Sequence, residues 1–211
     1  MSEQIRQLLK LLKVLDDNDF SRHLVLIGSW AEYMYMVTGL IPGYEANIRT
    51  LDVDFLVRNL RKPNPPKSLI AAVKETGFMV QEDCVSGVTR FYSGDGLEIE
   101  FLIAQKGNGE KGAMKTNLGV TAQALRHMDI IGFDIIECDY LGIRFNVPSP
   151  EAFVLHKIVI NGERERKAEK DRIVIDSIHP YLDMEHFNEL VDRLTKNEKR
   201  LVEKYIEAHW K

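Results

Sequence analysis

The 211-residue chain has few of the features that assign a sequence to a class directly. Its two cysteines, Cys84 and Cys138, lie far apart and outside any C-x-x-C pattern, so we predict reduced thiols and neither a zinc site nor a disulfide framework. No apolar run approaches the roughly 20 residues that a membrane-spanning helix requires. The N-terminal segment also lacks the uninterrupted apolar core of a signal peptide. These absences predict a cytoplasmic protein with no membrane partner.

The charge balance excludes a generally basic surface. The formal net charge is -4 and the sequence pI is about 5.9, so any contact with nucleic acid must depend on a local basic patch. Apolar residues make up 45% of the chain, which suits one compact domain or a mid-sized domain with a smaller partner. No internal repeat is present.

The periodicity of apolar residues changes along the chain. A first amphipathic helix is followed by a short apolar run, His23–Ile27, which predicts a buried strand. Alternation predicts a strand at Arg49–Val57, and three more strands, separated by Gly-containing turns, are predicted at Phe78–Glu82, Val88–Tyr92 and Leu97–Ile103. Ile130–Cys138 and Ile143–Val147 suggest a hairpin around Asp139–Gly142. From Pro148 onward the patterns are helical. We therefore predict an α/β domain over residues 1–147 and a helical domain over residues 148–211.

A Gly-Ser pair follows the first predicted strand. Gly28 permits a sharp turn and a close approach of a ligand to the backbone. Ser29 is predicted to cap the next helix, with Glu32 completing a capping box. Either the N–H groups at this helix start bind phosphate oxygens, or the pair forms an ordinary cap.

Two aspartates lie within one predicted strand. Asp52 and Asp54 are two positions apart, so both side chains leave the strand on the same face. Their like charges repel unless a cation lies between them, and Mg²⁺ prefers such oxygen ligands. The alternative is an acidic, solvent-facing strand. The opposite face is predicted to enter the core through Leu51, Val53, Phe55 and Val57.

Two glutamates repeat this arrangement on a later strand. Glu98 and Glu100 share one face, while Leu97, Ile99 and Phe101 are predicted to face the core. If the two strands are neighbours, their acids form one cluster, and three such carboxylates can hold two divalent ions. The alternative is a pair of solvent-facing glutamates.

Taken in order, these motifs resemble the DNA polymerase β-like nucleotidyltransferase superfamily. The matching residues are Gly28, Ser29, Asp52, Asp54 and Glu100, within about residues 20 to 105, and Arg49-Thr50 resembles the lead-in of AbiEii-like branches. The resemblance implies an α+β fold, with a nucleotidyltransferase-type mixed β-sheet, flanking helices and a C-terminal helical domain. It also implies Mg²⁺, with Mn²⁺ as the alternative, held by Asp52, Asp54 and Glu100 as catalytic residues, and an NTP held by Gly28 and Ser29.

A downstream segment resembles an uncharacterised bacterial nucleotidyltransferase-like family related to AbiEii. The motif comprises Pro150-Glu151-Ala152-Phe153, His156-Lys157, Arg164, Arg166, Lys167 and Lys170-Asp171. This resemblance implies that Lys157, Lys170 and Asp171 bind nucleotide, and we expect Lys157 to face the aspartates across a cleft between the domains. The alternative is a solvated charged helix. A Lys157→Ala variant is expected to keep nearly normal stability.

The resemblance supports three hypotheses. The first is a metal-dependent nucleotidyltransferase that transfers a nucleoside monophosphate from an NTP to an unknown acceptor hydroxyl on RNA, protein or a small molecule. The second is a catalytically idle nucleotide-binding module, such as a toxin–antitoxin component. The third, a glycosyltransferase that binds a nucleotide sugar and Mn²⁺ through D-x-D, is disfavoured by the Gly-Ser turn. The usual third acid is aspartate, so the choice between Glu98 and Glu100 stays open, and Trp30 is bulky where many relatives have a small residue.

Overall fold

The computed structural model describes residues 2–46, 50–58, 68–105, 112–163 and 167–210. Arg49, Arg164 and Arg166, which belong to the two sequence resemblances, lie outside the described residues. The chain forms two compact units, one of Met1–Arg126 with Ile136–Val147 and the other of His127–Ile135 with Pro148–Lys211. None of the described helices has the length and hydrophobicity to cross a membrane.

The first unit is built on a mixed seven-stranded sheet. The strands are β1 (Leu24–Ile27), β2 (Asp52–Val57), β3 (Met79–Glu82), β4 (Thr89–Tyr92), β5 (Glu98–Ala104), β6 (Ala113–Lys115) and β7 (Thr121–Leu125). The order is β1-β2-β5-β4-β3, and β7 also pairs with β5 and carries β6. β2 and β7 run parallel to β5, whereas the other pairs are antiparallel. The predicted mixed sheet with flanking helices is therefore confirmed.

The two faces of the central strands differ in chemistry. Val53, Phe55 and Phe101 are almost completely buried. The Phe55 and Phe101 rings stack with centroids 6.2 Å apart, and Phe91 meets Phe101 edge-on at 5.1 Å. Each such aromatic pair adds about 0.5–1.5 kcal/mol beyond the burial of its surface. The apolar face thus fixes β2, β5 and β4 together and turns their acids to the other face.

One residue predicted to join this apolar face does not. Leu51 precedes β2 and is 45% exposed, so the prediction that it enters the core is wrong. The alternation that predicts its burial holds only inside the strand, which begins at Asp52.

The helices of the first unit are α1 (Glu3–Asp17), α2 (Gly28–Val37) and α3 (Leu69–Lys74). Ser2 caps α1 by accepting a hydrogen bond from the Ile5 N–H, and the apolar stripe of α1 is buried. A hairpin of β8 (Ile135–Tyr140) and β9 (Ile143–Pro148) also belongs largely to this unit. The left-handed residues Leu141 and Gly142 form its predicted turn.

Two segments between these elements differ from the sequence prediction. Residues predicted to begin the hairpin strand, Ile130 and Ile131, instead belong to a short helix, α4 (Met128–Ile131). Their short apolar run fits a buried helix as well as a strand, so periodicity alone does not decide. The short strands β6 and β7 have no counterpart among the strands predicted from the sequence.

The start of α2 also corrects the sequence prediction. Its N-cap is Ile27, whose side chain makes no capping hydrogen bond. Ser29 lies inside the first turn, and Glu32 is buried and accepts a hydrogen bond from the Tyr44 hydroxyl at 3.4 Å. The predicted capping box is therefore wrong, because the helix begins at Gly28 and places Ser29 too late in the first turn to cap it.

The second unit is helical. It contains α4, α5 (Pro150–Asn161), α6 (Ala168–Ile178), α7 (Met184–Asp192) and α8 (Lys196–His209). α5 is buried along most of its length and contacts the other four helices. Ser149 caps α5, and Thr195 with Glu198 forms a capping box at α8. The predicted helical character of the C-terminal part is confirmed.

Candidate active site

Four carboxylates lie together on one face of the sheet. β2 and β5 pair in parallel, with Asp52 opposite Glu98 and Asp54 opposite Glu100. Val53 and Ile99, between these pairs, point into the core. Because alternate residues of a strand share a face, the four acids form a compact array on the opposite side. The predicted adjacency of the aspartate and glutamate strands is confirmed.

Gly28 brings the start of α2 against this array. Ile27 pairs with Asp54 across β1 and β2, so the turn into the helix lies beside that aspartate. Gly28 has a φ of +66°, and a Cβ built on it would lie 3.1 Å from Asp54 Oδ2. A left-handed backbone and a close carboxylate both favour glycine here. The strand-to-helix turn and the D-x-D strand therefore meet, as their sequence motifs predict.

The first turn of α2 has the properties of an anion site. Its N–H groups point out of the helix start, and the N-cap residue, Ile27, makes no side-chain hydrogen bond to them. A phosphate oxygen at a helix N-terminus accepts such N–H groups and interacts favourably with the helix dipole. Ser29 is half-buried in this turn, next to Gly28. The absence of the predicted cap leaves this helix start suited to a phosphate.

Arg90 on β4 pairs with the two glutamates. Its Nε lies 2.6 Å from Glu100 Oε1 and 3.2 Å from Glu98 Oε1. The Tyr92 hydroxyl donates a hydrogen bond to Glu98 Oε1 at 3.2 Å. Burial lowers the pKa of Arg90, but Glu100, followed by Tyr92 and Glu98, outweighs burial and raises that pKa. Both glutamates therefore already have a cationic partner.

Sequence motifs do not single out Arg90. The only local signal is that it alternates with the buried Phe91 in a strand pattern. Its role follows from the antiparallel register, which puts Arg90 opposite Glu100 and Tyr92 opposite Glu98. Such pairing depends on segments that are distant in the chain.

The carboxylate oxygens of the four-acid array are ligands of the kind that a hard divalent ion prefers. Within the residues described, no group of three or more His, Cys, Asp or Glu side chains is arranged to hold a metal. Asp52 is exposed and Asp54 half-buried, so both are accessible from solvent. Mg²⁺ commonly uses one or two protein carboxylates and takes its other ligands from phosphate and water. Asp52 and Asp54 fit that pattern, whereas Glu100 faces Arg90 and its role as third acid stays a prediction.

The residues predicted to bind nucleotide in the helical part lie in the second unit. Lys157 Nζ pairs with Asp171 Oδ1 at 3.0 Å, and the two side chains are only 12% and 4% exposed. Lys157 Nζ also lies 4.9 Å from the centre of the Phe153 ring. Lys170 is exposed. The structure thus joins Lys157 to Asp171, while the prediction that Lys157 and Lys170 bind nucleotide stays a prediction.

Comparison with known proteins agrees with the fold. The chain has no recognisable sequence relative among proteins of curated function. Among solved structures, the chain is similar to ANT(2'')-Ia in complex with adenylyl-2''-tobramycin, at 16% identity and a TM-score of 0.55, over 97% of this chain and 99% of that one. It is also similar to an antigenic nucleotidyltransferase-like protein from Paracoccidioides brasiliensis, at 15% identity and a TM-score of 0.54, over 97% and 89% of the two chains. The nucleotidyltransferase family model matches residues 6–197, and the chain therefore belongs to the nucleotidyltransferase family.

Proposed function

We propose that the protein transfers a nucleoside monophosphate from an NTP to an acceptor hydroxyl, with a divalent ion bound at Asp52 and Asp54. The observation that carries this proposal is the close approach of the Gly28 turn to Asp54, where a Cβ added to the glycine would lie 3.1 Å from the carboxylate. A phosphate-binding helix start and a pair of metal-binding acids are the two parts that phosphoryl transfer requires side by side. The sequence resemblance to the DNA polymerase β-like superfamily supports the same assignment.

The residues of this chain have separate tasks in the proposed reaction. Asp52 and Asp54 would hold the divalent ion, and the N–H groups at Gly28 and Ser29 would bind the departing pyrophosphate. The chemistry that this ion, Mg²⁺ or alternatively Mn²⁺, would supply when bound is neutralisation of the charge that develops on the phosphate oxygens.

The idle nucleotide-binding module remains a second candidate, because one contact favours it. Glu100, the expected third acid, is engaged by Arg90 at 2.6 Å. An acid held by an arginine is less able to complete a second metal site or to accept a proton from the acceptor. The two candidates share NTP binding and differ in transfer.

Pyrophosphate release from each NTP with Mg²⁺ tests transfer directly. The acceptors are RNA, a mixture of proteins and small hydroxyl compounds, including tobramycin because ANT(2'')-Ia was solved with its adenylylated form. We expect release with the wild type and none with Asp52→Asn/Asp54→Asn. Glu82→Gln, which changes an exposed carboxylate on the outer strand β3, is the matched control. NTP binding without release for any acceptor would favour the idle module.

A further inference from the structure

The proposed reaction has a direction across the sheet. The departing pyrophosphate is assigned to the helix start at Gly28, which lies on the β1 side of Asp54. During phosphoryl transfer the attacking and leaving oxygens lie roughly in line on the phosphorus. The attacking hydroxyl must therefore come from the opposite side of the aspartates, which is the side of β5 and β4.

A hydroxyl of the chain itself lies on that side. Tyr92 on β4 is opposite Glu98 on β5, and Glu98 is opposite Asp52 on β2. Neighbouring strands are about 5 Å apart, so these three residues form a row of roughly 10 Å across the carboxylate face. The Tyr92 hydroxyl donates a hydrogen bond to Glu98 Oε1 at 3.2 Å, so it reaches the strand next to Asp52.

The Tyr92 hydroxyl is also accessible to a ligand. Tyr92 is half-buried, and the side chain of Glu98 is 32% exposed. The adjacent residue, Phe91, is fully buried on the other face of the sheet. The core packing of β4 therefore rests on Phe91, and the Tyr92 hydroxyl faces the carboxylate array.

The groups around this hydroxyl are those of an activated nucleophile. Burial, followed by the charge of Glu98, raises the pKa of Tyr92, and a hydrogen bond from Arg90 opposes that shift. The phenol therefore stays protonated near neutral pH and attacks only when a base accepts its proton. Glu98 is positioned as that base, and the positive charge of Arg90 stabilises the oxygen as it loses the proton.

We propose that, when no external acceptor is bound, the protein transfers a nucleoside monophosphate to its own Tyr92. The inference rests on the proposed function. The Tyr92 oxygen forms a bond to the α-phosphorus of the NTP, and the bond from that phosphorus to the oxygen bridging to the β-phosphorus breaks. Pyrophosphate leaves, and the phenol proton passes to Glu98. Because the nucleotide stays attached, each chain is modified at this residue once.

Mass spectrometry of the protein tests the modification directly. The wild type is incubated with Mg²⁺ and each of the four NTPs in the absence of acceptor, and its peptides are then mapped. Tyr92→Phe removes the hydroxyl and keeps the ring. Tyr181→Phe is the matched control, because it removes the hydroxyl of a tyrosine that is 44% exposed in the other unit. Calorimetry measures NTP binding to the wild type in parallel.

We expect at least one NTP to add one nucleoside monophosphate per chain, on the peptide that contains Tyr92. The addition should be unchanged in Tyr181→Phe and absent from both Tyr92→Phe and Asp52→Asn/Asp54→Asn. Peptide mapping of the wild type identifies the modified residue even if a variant folds poorly.

Three results would overturn the proposal. If the wild type binds an NTP with Mg²⁺ but gains no nucleotide, the Tyr92 acceptor is wrong and the proposed function stands. Nucleotide attached to another residue, or attached to Tyr92→Phe as readily as to the wild type, also overturns the Tyr92 acceptor alone. If the wild type does not bind any NTP with Mg²⁺, the proposed function fails and the Tyr92 acceptor fails with it.

Discussion

At the scale of single residues, Gly28 links the backbone to the proposed chemistry. Gly28→Ala forces alanine into a left-handed conformation and puts its Cβ 3.1 Å from Asp54 Oδ2. The left-handed backbone conformation alone lowers the free energy of unfolding by about 1 kcal/mol or more for an alanine. We also expect loss of Mg²⁺-dependent NTP binding, because the Asp54 carboxylate must move. Urea unfolding and calorimetry measure the two effects.

Gly142→Ala is the matched control for that variant. Gly142 also has a positive φ, +75°, but an added Cβ there meets no atom within 4 Å. We expect a similar loss of stability with unchanged NTP affinity. Equal NTP affinity in both variants would show that the contact between Gly28 and Asp54 has no role in binding.

A second residue-scale prediction concerns Lys157 and corrects an expectation from the sequence. Lys157→Ala removes the lysine partner of Asp171, whose side chain is 4% exposed. Removing one member of a buried ion pair costs roughly 3–5 kcal/mol, so near-normal stability is no longer expected. Urea unfolding should show this loss, while Lys170→Ala, at an exposed position, should remain near wild type.

The double variant separates charge from packing. Lys157→Ala/Asp171→Ala removes both charges, so we expect it to be more stable than Lys157→Ala alone. A double variant that is as unstable as the sum of its single variants would show that the ion pair contributes no coupling.

At the scale of secondary-structure elements, strand β4 carries the arginine that neutralises the glutamates of β5. Arg90→Met removes the cation from Glu98 and Glu100 and leaves their charges beside Asp52 and Asp54. A denser negative cluster attracts a divalent ion more strongly, so Mn²⁺ should bind more tightly in the absence of nucleotide. Titration followed by electron paramagnetic resonance measures free Mn²⁺. Arg144→Met, which breaks an ion pair with Asp16 at a largely exposed arginine, should leave Mn²⁺ affinity unchanged.

The helix α7 should show a pH-dependent contribution to stability. The hydrogen bond to Asp134 raises the pKa of His186; burial opposes this shift, and Glu189, the charge of Asp134 and Glu151 reinforce it. Because the pKa is higher in the folded state, the stabilisation is complete below the unfolded value of about 6.5 and disappears as the pH rises through the folded value. Unfolding free energies across this window should fall for the wild type and stay flatter for His186→Asn. Parallel profiles for the two proteins would contradict the assignment.

The elements that sequence predicts well are those whose signal is local. Alternation in Asp52–Val57 and Glu98–Ala104 places acids on one face and a core on the other, and both strands form. The helix at Met128–Ile131 escapes prediction because a short apolar run fits either structure. The ion pair between Arg90 and Glu100 cannot be predicted from the sequence either, because it depends on the register between two strands rather than on the spacing of residues within one strand.

At the scale of the whole molecule, the change from strand to helix patterns at Pro148 predicts a helical C-terminal part. It does not predict which earlier residues pack with that part. Residues 127–135 belong to the second compact unit, although they precede the hairpin of the first. Composition does not reveal this, because the association rests on contacts such as the hydrogen bond between His127 and Glu198, at 2.6 Å.

The central claim is that Asp52 and Asp54 bind a divalent ion together with an NTP. The most direct measurement is calorimetry of NTP binding with and without Mg²⁺, comparing the wild type with Asp52→Asn/Asp54→Asn. It requires no knowledge of the acceptor, and circular dichroism verifies that the double variant folds, as expected for side chains outside the core. We predict Mg²⁺-dependent NTP binding for the wild type and its loss in the folded double variant. Unchanged Mg²⁺-dependent affinity in that variant would contradict the metal site and the transfer chemistry that depends on it.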